Sequence, residues 1–75
     1  LLIALTHIGI QRDRLLAEAC PELDVILGGH SHTPTATPEQ VGRVWLSHAP
    51  PFCKGATLLT LAHRDALWTL DAALL

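Results

Sequence analysis

The sequence predicts an α/β fold built on a parallel sheet, and three observations carry that reading. "LLIAL" (1–5) and "DVILGG" (24–29) are apolar runs without alternation, the pattern of strands covered on both faces. "QRDRLLAEAC" (11–20) lies between them and reads as a short amphipathic helix. Strand, helix and strand fall within about thirty residues, the length of a βαβ crossover, whose two strands run parallel.

The first run predicts a central strand. Gly9 in "THIG" permits the sharp change of direction that leads into the helix. Leu15, Leu16, Ala19 and Cys20 share one side at helical spacing and predict its apolar face. Asp13 suits the helix start as a cap or first-turn acid, and Pro21 ends the helix because the residue before a proline avoids the α region. After the second strand, Ser, Thr, Pro and Gly dominate residues 30–42, which read as a loop. "RVWLSH" (43–48) predicts a third strand and "PPFCKG" a breaker-rich turn. "ATLLTLAHR" and "ALWTLDAALL" predict a β-hairpin turning around Arg64, Asp65 and Ala66.

The 75 residues contain 49% hydrophobic and 16% charged side chains, a composition suited to a packed core. A chain this short buries only roughly 60% of its unfolded surface, so the expectation is one incomplete domain, an internal piece of a larger protein. The net charge is −2 and the basic residues do not cluster, which disfavours nucleic acid or an anionic membrane as partner. No apolar run approaches the ~18 residues of a membrane span. Cys20 and Cys53 read as small core residues rather than a disulfide framework. There is no phosphate-binding glycine loop, no GxSxG elbow and no Ser/His/Asp order, so a side-chain nucleophile is not suggested.

Parallel strands end on one edge of their sheet, where open α/β folds place ligands. His7 follows the first strand by two residues and His30 follows "DVILGG" directly, so both imidazoles are expected at that edge. With His32, the "GGHSHT" segment (28–33) is either a polar turn or part of a transition-metal site. Gly28 and Gly29 are expected to allow unusual dihedrals, so that His30 and His32 splay toward different ions. Thr6, Ser31 and Thr33 are read as turn-satisfying hydroxyls. His48 is read as a polar strand end, His63 as part of a solvated face, and Arg43 and Lys54 as surface residues.

"LTHIG" followed by "DRLLAEACPELDVILGGHSHT" resembles the calcineurin-like metallophosphoesterases, specifically the 5'-nucleotidase and UDP-sugar hydrolase branch. The resemblance is close over Leu2 to Thr33 and looser through "VGRVWLSHAPPFCKGATLLTL". It implies a fragment of a four-layer αββα sandwich, with residues 1–75 forming the C-terminal part of the catalytic domain. It also implies that His7 and His30 bind one metal of a dinuclear centre and His32 the other. Two divalent ions, Mn, Zn or Fe, would activate a water for attack on a phosphoester, of which a nucleotide is the expected example. By the same resemblance the parent is periplasmic or extracellular.

The family's Asp-x-His, Gly-Asp and Gly-Asn-His-Asp/Glu segments have no counterpart in the 75 residues. The chain is therefore expected to need an upstream catalytic segment and to be inactive alone, with no catalytic residue of its own, since neutral imidazoles cannot balance two dications. A thiosulfohydrolase or a cyclic-nucleotide phosphodiesterase of the same fold fits the same residues. From another class, so does a non-catalytic α/β module holding one metal or none.

Overall fold

The apolar runs become strands of one mixed sheet. The computed structural model describes residues 1–75, in the order β1 (Ile3–Leu5), α1 (Ile10–Ala19), β2 (Val25–Gly28), β3 (Glu39–Val41), β4 (Val44–His48), β5 (Thr57–Arg64) and β6 (Leu67–Leu74). Four strands lie side by side as β1-β2-β4-β3, while β5 and β6 form a separate antiparallel pair. β1 pairs parallel with β2, and β2 pairs parallel with β4. The α/β class predicted from the sequence is thus the observed one.

Ile26, Val44 and Leu46 leave the sheet on the helix side and form the core with Ile10 and Ala17 of α1; all five are buried. The hairpin lies across the opposite face. There the Trp45 indole N–H donates to the Trp68 carbonyl at 2.9 Å, and Leu5, Leu27, Ser47, Thr57 and Leu59 line one cavity. The molecule is therefore layered as helix, four-stranded sheet and hairpin.

Several elements depart from the sequence-based expectation. β1 is an edge strand, not a central one, and Leu5 is 79% exposed. The inward stripe of α1 is Ile10, Asp13 and Ala17, while Leu15 and Ala19 face outward. Leu16 packs against the core and Cys20 is half-buried, so the expected face is turned rather than reversed: the buried stripe keeps helical spacing with a carboxylate at its centre. Asp13 lies in the first turn and caps nothing; Gly9 is the N-cap residue, with φ of 89°. The loop assigned to 30–42 contains β3, which folds back on β4 through Gly42 and Arg43, with Val41 opposite Val44. Gly42 takes φ of 60°, which relieves the steric cost of this turn.

The hairpin forms where expected, and Asp65 and Ala66 both take positive φ, 53° and 62°. Two consecutive left-handed residues make the type I′ turn that matches strand twist, here without glycine or asparagine. Cys53 is exposed with φ of 54°, so it is not a core residue. Cys20 is half-buried, and both thiols are free. No helix is long and apolar enough to cross a membrane.

Candidate functional site

In the parallel register Leu5 stands opposite Leu27 and Gly28 opposite His48, so β1, β2 and β4 end at one edge. The chain leaves that edge through His7, His30 and His48. His7 Nε2 and His30 Nδ1 lie 3.2 Å apart, with their rings edge to face at 61°. Two nitrogens bound at 2.0–2.1 Å to one ion stand about 2.9 to 3.4 Å apart at octahedral or tetrahedral angles. That separation is an imidazole–imidazole hydrogen bond when no ion is bound and equally the spacing of two ligands of one metal, and both rings are accessible.

His32 turns elsewhere. Its ring meets Phe52 edge to face, with centroids 4.7 Å apart, and no three His, Cys, Asp or Glu side chains of the chain gather in ligand geometry. His7, His30, His32 and His48 nevertheless line one cavity of about 290 Å³, walled on the far side by Pro50, Pro51 and Phe52. The divergence of His30 and His32 comes from their own backbones, which take φ of 90° and 55°. Gly28 and Gly29 were expected to supply that freedom, but neither has positive φ.

The "GGHSHT" turn is anchored to the start of α1. Gly9 N–H donates to the Gly29 carbonyl at 2.9 Å, and Ile10 N–H donates to Ser31 Oγ at 3.0 Å. Ser31 thus satisfies a helix N–H that Gly9, with no side chain, leaves open. Thr33 Oγ1 donates back to Ser31. Ser31 and Thr33 thus serve the turn, as read from the sequence, whereas Thr6 Oγ1 bonds to no protein group and lies against Gly28 instead.

Beneath the turn lies an arrangement that the sequence reading missed. Asp13 Oδ2 and His48 Nε2 are 2.6 Å apart, with side chains 0% and 1% exposed. A Cβ built on Gly28 would stand 2.5 Å from His48 Nε2, 2.7 Å from Thr6 Oγ1 and closer still to Asp13 Oδ2. Gly28 is thus glycine because three polar side chains occupy the space of a side chain. The signal was available: Asp13 falls on the Ile10–Ala17 stripe, and a buried charge demands a partner.

The remaining charged pairs lie away from this edge. Asp24, the residue before β2, accepts the Leu2 N–H and pairs with Arg43. Its pKa is lowered chiefly by the Leu2 N–H and further by the charge of Arg43. Arg14 of α1 pairs with Glu39 of β3, which lowers the Glu39 pKa and raises that of Arg14 through their hydrogen bonds. Arg43 is therefore an ion-pair partner rather than a bare surface cation. His63 is exposed and stacks on Trp68 with centroids 4.5 Å apart.

No family model matches the chain. Among curated proteins it is 46% identical over 43 residues to a protein named 5NUC from Lutzomyia longipalpis, covering 57% of this chain and 8% of that protein. It is 38% identical over 52 residues to the uncharacterized metallophosphoesterase YunD of Bacillus subtilis (strain 168), covering 69% of this chain and 11% of YunD. The trifunctional nucleotide phosphoesterase protein YfkN of the same organism is 56% identical over 32 residues, 43% of this chain and 2% of YfkN. The chain thus spans a small part of the length of each relative. Over these local stretches it is similar to proteins named as metallophosphoesterases and nucleotide phosphoesterases.

Proposed function

We propose that the chain is the C-terminal, histidine-bearing part of the catalytic domain of a metal-dependent phosphoester hydrolase, 5'-nucleotidase-like in its action on nucleotides. The observation that carries the reading is the 3.2 Å spacing of His7 Nε2 and His30 Nδ1 at the carboxyl edge of the parallel strands. The names of the similar proteins supply the phosphoester chemistry. His30 and His32 hold positive φ, and non-glycine residues in such conformations cluster where function over-determines the backbone.

In this reading His7 and His30 hold one divalent ion, and His32, directed to the Phe52 side of the cavity, holds a second. Mn, Zn or Fe in such a centre lowers the pKa of a bound water and screens phosphate charge. The chain's residues supply the neutral donors and their directions. The anionic ligands needed to offset two dications come from a segment outside the 75 residues. By analogy the parent acts outside the cytoplasm.

The test is release of inorganic phosphate from AMP by the complete protein, with and without added Mn²⁺. The expected result is Mn²⁺-dependent hydrolysis that is lost in His7→Ala and in His30→Ala. Full activity in the His7→Ala/His30→Ala double variant would remove the assignment. Metal binding without hydrolysis of any phosphoester would favour a non-catalytic metal module instead.

A further inference from the structure

Three elements converge on Gly28. Asp13 comes from α1, His48 from the end of β4, and Thr6 from the residue that follows β1. The same ends carry the histidine pair, since Thr6 precedes His7 and Gly28 lies two residues before His30. The Asp13–His48 hydrogen bond spans 35 positions of sequence and is fully enclosed. Thr6 N–H donates to the Leu27 carbonyl at 2.9 Å, which fixes the exit of β1 against β2 at the same point.

Stability does not account well for this arrangement. A buried carboxyl–imidazole pair must overcome the desolvation of both groups, and apolar side chains of similar volume commonly do as well. Thr6 Oγ1, Asp13 Oδ1 and His48 Nδ1 are also buried without a protein partner, so the cluster is polar throughout. What a directional hydrogen bond adds is a fixed distance between α1 and β4 and therefore a fixed seat for Gly28. His48 Nε2 is taken up by Asp13 at 2.6 Å, beneath the exposed histidine pair.

We propose that Asp13 and His48 are positioning residues: their buried hydrogen bond, pressed against Gly28, sets the direction in which His30 leaves β2 and so aligns it with His7. The proposal rests on the reading of His7 and His30 as ligands of one ion. Loss of the pair leaves the ligands in place but lets the turn rock, so metal is held less tightly. The pair acts as one unit, because each member has value only with the other.

The experiment is a Co²⁺ titration of the intact apoprotein, followed by the visible ligand-field absorption of bound Co²⁺, with thermal melting of each apoprotein in parallel. Asp13→Ala and His48→Ala are each expected to weaken Co²⁺ binding by about 10-fold, the low end of the effect of groups that touch a metal ligand directly, since this pair acts through Gly28. The double variant should be no weaker than either single to within about twofold, the scatter expected of additive sites. His48→Gln, whose amide keeps a donor near the position of Nε2, should restore most of the affinity and the wild-type band. Asp13→Leu and His48→Leu, which remove the hydrogen bond but keep most of the side-chain volume, serve if the alanine variants fail to fold.

Unchanged Co²⁺ affinity in folded His48→Ala, Asp13→Ala or the corresponding leucine variants, with only the melting temperature lowered, would overturn the proposal and leave the metal reading standing. Additive losses in the double variant would overturn it too, since the residues would then act separately. Unchanged affinity and spectrum in His30→Ala would instead show that the metal reading itself fails, and the proposal with it.

Discussion

His7 and His30 are 23 positions apart in sequence, yet His7 Nε2 and His30 Nδ1 stand 3.2 Å apart because two parallel strands end together. Neither residue has another side chain at hydrogen-bonding distance from those nitrogens. Replacing either by alanine should therefore weaken binding of the same ion, and by more than the roughly 100-fold that loss of an outer-shell partner costs. His32→Ala should affect a different ion, since its ring lies against Phe52. Metal content measured after equilibrium dialysis of each purified variant checks this: equal stoichiometric losses in all three would contradict the division.

Gly28 and Gly29 are neighbours in sequence but not in tolerance. A methyl group on Gly28 meets the buried Asp13, His48 and Thr6 polar atoms, whereas on Gly29 its only neighbour is His7 Nδ1 at 4.0 Å. Gly28→Ala should destabilise by about 1–3 kcal/mol or more, the cost of overpacking a filled site. Gly29→Ala should stay within about 0.5 kcal/mol of wild type. Urea unfolding of the two variants compares them directly, and equal midpoints would be the contrary result.

Asp24 gives the fold an acid-sensitive contact. Its pKa lies below the ordinary 3.8 because the ionised carboxyl accepts the Leu2 N–H and faces Arg43. A lowered folded-state value means that the contribution is fully present above 3.8 and is lost as the pH falls through the lowered value. Glu39, held down by Arg14, acts in the same direction. Asp24→Asn should therefore flatten the fall in melting temperature below pH 4 or so while lowering stability at neutral pH. An acid limb identical to wild type would argue against the contact.

Leu46 and Ile26 are fully buried where β2 and β4 meet α1. Leu46→Ala should cost about 2–5 kcal/mol, the lost transfer energy plus the residual cavity. Leu58→Ala, at a position 55% exposed on the hairpin, should cost much less. Denaturant midpoints of the two variants test the assignment of the core to the helix side of the sheet.

The sequence alone was sufficient for the α/β class, the βαβ unit, the third strand and the hairpin, because each rests on local periodicity or on breakers such as Pro21 and Gly9. It also brought His7 and His30 to one edge, since parallel strands leave no other option. The helix face holds for Leu16 and Cys20 but not for Leu15 and Ala19, because Asp13 occupies the buried stripe and a hydrophobic pattern does not register an inward carboxylate. β3 was missed because "EQV" is three residues long and is stabilised only by pairing with β4.

What only the tertiary structure decided is how the motif is held. Sequence gives "GGHSHT" as glycines followed by histidines and suggests that the glycines bend the chain. In the fold the histidines themselves bend, and Gly28 is extended and bare because Asp13 from the helix, His48 from β4 and Thr6 after β1 share its side-chain space. Such a constraint joins residues from Thr6 to His48, more than half of the chain. It arises from three-dimensional packing, and no local pattern of residue types encodes it.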